Sequence, residues 1–306
     1  MSRSEGSASA IPLSLWSTKK RIHFVINPAA GQDEPILNTI NAVAHQYGVE
    51  WRSSVTHKFG DATEFARRAA EDGYDIVAGY GGDGTQHEIA NGILGTDALM
   101  GILPGGTGNN FAKEMGTPQT LRPAVELLCS SHSVRDIDVV QMGDIYFILR
   151  LYVGIEPEQQ TSREDKDKYG KLAYVVDAYR KARDSKEVNY TITLDGEVFE
   201  VPAMVLYVVN AAKNGAGISV VGDLSKIDDG LMDAFILNMK DLKTIAGSVD
   251  RMLKLDTKNA REYMGQGKEM TIETDPDQPV WTDGEYTGRT PISLKVLPGA
   301  LSVIVP

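Results

Sequence analysis

The chain has 306 residues, enough for two domains with separate cores. Hydrophobic residues make up 42% and charged residues 24%, as in ordinary globular proteins, and the formal charge is −11. This acidic balance disfavours binding to a nucleic-acid backbone and disfavours a polybasic membrane anchor, because both depend on clustered Lys and Arg. The single cysteine, Cys129, excludes an internal disulfide, so we expect a reducing, cytoplasmic compartment.

Residues 1–18 are rich in Ser, Ala and Gly and lack the basic and apolar regions of a signal peptide, so we expect a disordered tail. The longest apolar run, 201–212, is too short to span a bilayer and contains Pro202 and Asn210. The sequence therefore predicts a soluble protein.

Strand and helix patterns alternate through the first half of the chain. Strands are predicted at 21–26, 49–55, 75–78 and 100–103, and helices at about 33–47, 62–72, 86–94, from 108 and at 119–131. Asp61 and Glu64 form a capping-box pattern at one helix start, and Cys129 lies on the apolar side of another helix as a small core residue. Strict alternation indicates a parallel sheet with helices on both faces, a Rossmann-like three-layer α/β domain over residues 19–136.

From residue 137 the pattern changes to successive strands. They are predicted at 137–142, 145–153, 188–194, 197–201, 203–210, 232–238, 269–274, 279–282 and 292–296. Gly143-Asp144 and Asp195-Gly196 are typical of hairpin turns, and helices are predicted at 172–183 and 241–254. This pattern predicts an antiparallel, β-sandwich-like domain over residues 137–295.

Three predicted strands of the first half end in small, flexible, polar loops. Their sequences are Asn27-Pro-Ala-Ala-Gly31, Gly79-Tyr-Gly-Gly-Asp-Gly-Thr85 and Pro104-Gly-Gly-Thr-Gly-Asn-Asn-Phe-Ala112. Glycine leaves backbone N–H groups accessible, and the start of a helix attracts anions. Because the carboxyl ends of parallel strands share one edge of a sheet, the loops predict a phosphate-binding site. Thr85 is predicted to cap the following helix, and Thr107 to act similarly in its own loop.

Two acidic motifs have both a structural and a functional interpretation. Asp83 lies inside a glycine loop, where it is either a turn residue bonding its own backbone or a residue that works with Mg²⁺ or orients an acceptor hydroxyl; we favour the second. Trp281-Thr-Asp-Gly-Glu285 is typical of a β-hairpin. The residues alone favour this structural interpretation and a functional role equally.

Other signatures in the sequence are weak or absent. Gly79-x-Gly81-x-x-Gly84 matches a dinucleotide-binding pattern but lacks the acidic residue about twenty positions later. The sequence G-x-x-x-x-G-K-[ST] does not occur, which excludes a P-loop enzyme, and the five histidines lack the spacing of metal ligands.

Five motifs occur in order along the chain: Asn27-Pro-x-x-Gly31, Gly81-Gly-Asp-Gly-Thr85, Pro104-Gly-Gly-Thr-Gly-Asn109, Ile227-Asp-Asp-Gly-Leu-Met-Asp233 and Asp283-Gly-Glu285. Together they resemble the diacylglycerol kinase catalytic-domain family, which includes bacterial soluble lipid kinases and sphingosine kinases. The resemblance extends over 21–306 and implies that the last segment, about 296–306, returns to the first domain.

The resemblance implies an ATP-dependent lipid kinase that transfers the γ-phosphoryl group to a lipid hydroxyl, diacylglycerol-like or sphingoid, with Mg²⁺ accompanying the nucleotide. The implied nucleotide-binding residues are Asn27, Pro28, Ala29, Ala30, Gly31, Thr56, Gly81, Gly82, Asp83, Gly84, Thr85, Gln86, His87 and Thr107. Glu285 matches the proton acceptor, with Asp283 beside it. A second Mg²⁺ is implied at the Asp229 side chain and the backbone carbonyls of Lys226 and Leu231.

The chain departs from the family pattern at three positions. Gln32 stands where many members have Lys or Arg, His87 where Asn is usual, and Asn110 where many have Asp. Gln32 and Asn110 leave open a catalytically weak or silent nucleotide-binding regulator. The shared Gly-Gly-Asp-Gly sequence leaves open a NAD kinase-like or other small-molecule kinase of the same superfamily.

We expect a lipid substrate at a membrane surface, reached by transient peripheral contact. The stretches 155–170 and 172–183 are candidates for contact with the membrane or acyl chains, and a solvated helix face is an equal alternative. A homodimer is compatible with the sequence, which does not define the oligomeric state.

Overall fold

The computed structural model describes residues 9–10, 19–30, 34–130, 133–154, 187–211, 226–237 and 263–306. Its contacts divide the chain into two units, residues up to 137 together with 299–306, and residues 138–298. The predicted helices at 172–183 and 241–254 and the loop 155–170 lie outside the described residues. Within the predicted tail, Ser9–Ala10 forms a short strand, β1, that pairs with Ser133 and Val134.

The first unit contains a parallel sheet. Its strands are β2 (Arg21–Ile26), β3 (Glu50–Val55), β4 (Ile76–Gly81) and β5 (Leu99–Pro104), in the order β3-β2-β4-β5. The last part of β17 (Ile292–Val305) adds a further parallel strand, with Val303 opposite Met100. These pairings confirm the α/β domain with a parallel sheet.

In the described part of the chain, five helices flank this sheet: α1 (Ile36–Tyr47), α2 (Asp61–Glu71), α3 (Asp83–Ile93), α4 (Asn110–Glu114) and α5 (Leu121–Cys129). Apolar residues of α1 and α5 pack on one face, against side chains such as Phe24 and Tyr80. On the other face Gly79 lies against Ile89 of α3. The two helix layers therefore enclose the sheet.

The second unit contains two antiparallel sheets. The strands not yet named are β6 (Ser133–Met142), β7 (Ile145–Phe147), β8 (Arg150–Val153), β9 (Val188–Leu194), β10 (Glu197–Ala203), β11 (Val205–Val209), β12 (Met232–Leu237), β13 (Tyr263–Gly267), β14 (Glu269–Asp275), β15 (Pro279–Thr282) and β16 (Glu285–Arg289). One sheet has the order β13-β12-β11-β8-β15-β16. In the other, β10, β9, β14 and the first part of β17 pair in that order. A shared core, with Leu151 and Leu206 from one sheet and Ile192 and Met270 from the other, makes this a two-layer arrangement.

Several predicted boundaries are wrong. β4 continues through Gly81, so Gly79 and Gly81 are strand residues rather than loop residues, and α3 begins at Asp83 instead of residue 86. β17 has 14 residues where a strand over 292–296 was predicted, and β13 and β16 were not predicted. No helix among the described residues is long and apolar enough to cross a membrane.

Candidate functional site

The junction between β4 and α3 gathers backbone donors at a helix start. Gly82 is the N-cap residue of α3, and among the described residues no side chain caps this terminus. The first bond of the helix runs from Gln86 N–H to Gly82 C=O (3.1 Å), so the N–H groups of Asp83, Gly84 and Thr85 have no acceptor inside the helix. Together with the helix dipole, these donors favour an anion.

The glycines of this junction permit a close approach of backbone to backbone. A Cβ on Gly81 would overlap the side chain of Thr85, and a Cβ on Gly106 would lie 2.5 Å from the Cα of Gly82. The N–H of Gly105 donates to the carbonyl of Gly81 (2.9 Å). The loops that follow β4 and β5 are therefore in direct contact, as their shared sheet edge predicts.

Asp83 bonds the start of α4, directly after the loop that follows β5. Its Oδ2 accepts from Asn110 Nδ2 (2.8 Å), and its Oδ1 accepts from the N–H of Phe111 (3.0 Å). Within the loop, Asn109 Oδ1 accepts from the N–H of Gly106 (2.9 Å). The carboxylate thus joins α3 to the start of α4, which follows the loop 105–109, and does not bond its own turn. Its predicted part in metal or acceptor binding remains a prediction.

Asn27 holds the loop after β2 against the start of α3. Its Nδ2 donates to Thr85 Oγ1 (3.1 Å), and its Oδ1 accepts from the N–H of Ala29 (3.0 Å). The predicted cap at Thr85 is wrong, because Thr85 lies inside the first turn and its hydroxyl bonds Asn27. Pro28 and Ala29 are exposed, Ala30 is half-buried, and Gly31 lies outside the described residues.

The remaining predicted nucleotide-binding residues lie directly after β3, inside α3 and in the loop 105–109. Thr56 is buried at the end of β3, where its N–H donates to the carbonyl of Ile26 (2.9 Å). Gln86 is buried, and its Nε2 donates to the carbonyl of Gly79 (2.9 Å). His87 is also buried, whereas Thr107 is exposed in the loop 105–109. Gln86 therefore stabilises β4 through this hydrogen bond, a role that its place in the motif did not indicate.

Glu88, which no motif in the sequence indicated as functional, joins α3 to α2. Its Oε2 accepts from the N–H groups of Gly60 (2.9 Å) and Ala62 (3.1 Å), and so caps α2. The predicted Asp61 N-cap is wrong: the N-cap is Gly60, and Asp61 accepts from the N–H groups of His57 and Lys58, contacts that lower the pKa of Asp61. Burial raises the pKa of Glu88.

The motif Asp283-Gly-Glu285 forms a hairpin in the second unit. Asp283 and Gly284 have positive φ (48° and 97°), and Thr282 pairs with Glu285. The Asp283 carboxylate accepts from the N–H groups of Ile148, Leu149 and Arg150 at 2.8 to 2.9 Å. Glu285 is exposed at the start of β16.

The predicted metal loop lies elsewhere in the second unit. Asp229 Oδ1 accepts from the N–H of Leu231 (3.1 Å), and burial followed by the carboxylates of Asp233, Asp138 and Asp228 raises the pKa of Asp229. Among the described residues no three His, Cys, Asp or Glu side chains are grouped for a metal ion.

The predicted ligand set nevertheless fits a hard cation. It combines one carboxylate, that of Asp229, with the backbone carbonyls of Lys226 and Leu231, and Mg²⁺ prefers oxygen donors of this kind. The carboxylates of Asp233, Asp138 and Asp228, which raise the pKa of Asp229, also carry negative charge that a cation would balance.

Two family models match the chain. Residues 21–142 match the diacylglycerol kinase catalytic domain, and residues 150–305 match the YegS C-terminal NAD kinase beta sandwich-like domain. The chain belongs to the diacylglycerol kinase catalytic-domain family. Membership confirms the resemblance of the five motifs and supports a kinase.

Curated relatives and solved structures agree with this membership. The chain is 28% identical over 296 residues to a diacylglycerol kinase of Staphylococcus saprophyticus, covering 94% of this chain and 96% of the relative. It is also 28% identical to a diacylglycerol kinase of Staphylococcus aureus strain MRSA252, with 94% and 93% covered. A crystal structure of a diacylglycerol kinase from Bacillus anthracis str. Sterne superposes with a TM-score of 0.79 at 27% identity, covering 94% and 97% of the two chains.

Proposed function

We propose that the protein is an ATP-dependent lipid kinase that transfers the γ-phosphoryl group to a lipid hydroxyl. The observation that carries the proposal is the first turn of α3, where the N–H groups of Asp83, Gly84 and Thr85 have no acceptor in the helix. Two further strand-end loops lie against this turn, so its donors are suited to the phosphates of a nucleotide. Membership of a kinase family supports the same assignment.

Phosphoryl transfer depends mainly on alignment and charge neutralisation. In the proposed reaction the acceptor oxygen bonds the γ-phosphorus, the bond from that phosphorus to the bridging oxygen of ADP breaks, and the acceptor proton passes to Glu285. The exposed carboxylate of Glu285 is accessible for this role. Asp83 would hold the metal or acceptor hydroxyl through lone pairs left by its bonds to Asn110 and Phe111. Mg²⁺, when bound, would neutralise charge on the phosphate oxygens.

The proposed acceptor is a lipid with a free hydroxyl at a membrane surface, and the proposed contact is transient and peripheral, from the cytoplasmic side. The relatives are named diacylglycerol kinases, which favours diacylglycerol; a sphingoid base is the alternative lipid.

The test is incubation of the full chain with γ-labelled ATP, Mg²⁺ and mixed micelles containing diacylglycerol, a sphingoid base or neither. We expect labelled lipid from the wild type, and a loss of about 10²–10⁴ in rate for Glu285→Gln. ATP binding without any labelled product would instead indicate a silent regulator. A parallel reaction contains NAD in place of lipid. Labelled NADP in that reaction, without labelled lipid in the others, would indicate a NAD kinase-like enzyme.

A further inference from the structure

The short segment between β7 and β8 is held from two sides. Ile148 and Leu149 are buried, and all four of their backbone polar groups are bonded. The N–H groups donate to the carboxylate of Asp283, and the carbonyls accept from Asn210 and Ala211. A buried backbone segment with every group satisfied has one well-defined position.

Asn210 provides the second side of this arrangement. Its side chain is fully buried, and Nδ2 donates to the carbonyls of Ile148 (2.7 Å) and Asp138 (2.9 Å). Its own N–H donates to the carbonyl of Leu149 (2.9 Å). The amide therefore fastens the segment to β6, a role that only a side chain with two N–H donors can fill.

Both oxygens of the Asp283 carboxylate bond this segment. Oδ1 accepts from two N–H groups, Leu149 and Arg150, and Oδ2 accepts from Ile148. In return the N–H of Asp283 donates to the carbonyl of Arg150 (2.9 Å). These four bonds fix the hairpin that carries Glu285 two residues later.

We propose that Asp283 and Asn210 are positioning residues for Glu285, and that Asp283 is not itself the proton acceptor. The carboxylate of Asp283 bonds the N–H groups of the segment 148–150, and the amide of Asn210 bonds the carbonyl of Ile148. Together these bonds fix the position of Glu285. The inference rests on the proposed function, because it names Glu285 as the group that accepts the proton.

A second hairpin of the same unit provides a matched control. Asp195 and Gly196 also have positive φ (47° and 90°), as Asp283 and Gly284 do. The Asp195 carboxylate likewise accepts from the N–H groups of Lys268 and Glu269, at 2.8 to 3.1 Å. Asp195→Asn therefore makes the same substitution in a similar turn without touching the Glu285 hairpin.

The experiment compares wild type, Asp283→Asn, Asn210→Ala, Asp195→Asn and Glu285→Gln in the full chain. Its readouts are kcat, the KM for ATP, the pH profile and hydrogen exchange of peptides covering 148–150. Asparagine tolerates positive φ but offers one acceptor oxygen instead of two. Asp283→Asn therefore keeps the hairpin and weakens its hydrogen bonds to the segment 148–150. We expect faster exchange at 148–150 and a fall in kcat of about 10²-fold at unchanged KM for ATP.

The pH profile separates positioning from proton acceptance. We expect the loss of rate on acidification to persist in Asp283→Asn and Asn210→Ala and to vanish in Glu285→Gln, while Asp195→Asn keeps the wild-type kcat. Should Asn210→Ala fail to fold, Asp283→Asn decides the matter. Two results would overturn the proposal. One is a wild-type kcat in Asp283→Asn. The other is that the loss of rate on acidification vanishes in Asp283→Asn but persists in Glu285→Gln. If the wild type transfers no phosphate to lipid, that result would instead contradict the proposed function.

Discussion

At the scale of single residues, the glycines near the sheet edge differ in what they permit. Gly106 and Gly82 allow two loops to touch, whereas Gly101 in β5 lies against Ala78 and Leu128 in the core. A methyl group at Gly106 would separate the loops at the proposed phosphate site, and one at Gly101 would strain only the packing. The two positions therefore separate loss of binding from loss of stability.

Gly106→Ala should lower the affinity for MgATP by about tenfold or more, because the loop 105–109 must move away from Gly82, and each 1.4 kcal/mol lost is tenfold. Gly101→Ala, whose Cβ would lie 2.8 Å from that of Ala78, should lower the melting temperature but keep the wild-type affinity. Calorimetric titration of both folded variants measures the contrast. Equal affinities in Gly106→Ala and wild type would remove this loop from the site.

Cys129 illustrates a residue whose role the sequence predicted correctly. It is buried on α5, and burial raises the pKa of its thiol to about 11. At pH 8 the thiol should therefore stay protonated and resist a disulfide reagent in the folded protein, and react at the rate of a free cysteine in denaturant. Rapid labelling under native conditions would contradict a core role.

At the scale of elements, periodicity predicted α1, α2 and α5 and the strands β2, β3 and β15 within a few residues. It failed at β4 because the sheet, not the local sequence, decides the strand end: Gly79 and Gly81 pair with β5, and Gly79 also with β2. It missed β16 because that strand is exposed or half-exposed along its length and has no apolar alternation.

The cap of α2 is a second case that local sequence could not reveal, because Glu88 comes from α3. Both N–H groups bond the same oxygen, Oε2, so a glutamine oxygen could accept them as well. Burial raises the pKa of Glu88, so the folded protein holds this proton more tightly than the unfolded chain does. The stability that the protonated carboxyl group contributes is therefore present at low pH and is lost as pH rises through the folded-state pKa.

Glu88→Gln should therefore keep the cap and lose less stability than wild type as pH rises from about 4.3, the pKa of an exposed Glu. Glu88→Ala, the control, should lose about 1 kcal/mol with the cap. Chemical denaturation across this pH range measures both. An identical pH dependence in wild type and Glu88→Gln would contradict the assignment.

At the scale of the whole molecule, the order of motifs predicted the family, because each motif marks a strand end or turn of one architecture. The change from alternating strands and helices to successive strands predicted both fold classes. The roles of Asp283 and Asn210 could not be predicted, since their partners at 138 and 148–150 are distant in sequence. Hydrogen bonds between distant segments leave no local pattern.

The predicted cation site adds a test on the intact protein. If Asp229 and its neighbouring carbonyls bind Mg²⁺, adding the ion to chelator-treated protein should stabilise the fold, by about 2.7 kcal/mol at 100 times Kd. Asp229→Asn should abolish the response, whereas Asp195→Asn, the same change in another turn, should retain it. Melting curves with and without Mg²⁺ that coincide for the wild type would count against the site.

The most direct measurement follows the backbone amide resonances of the full chain as MgATP is added. Donors at the start of α3 that hold the nucleotide phosphates should give their largest shifts at Asp83, Gly84 and Thr85, with smaller shifts in the loop 105–109. Saturating MgATP that leaves these three amides unchanged, whether or not other residues respond, would contradict the account.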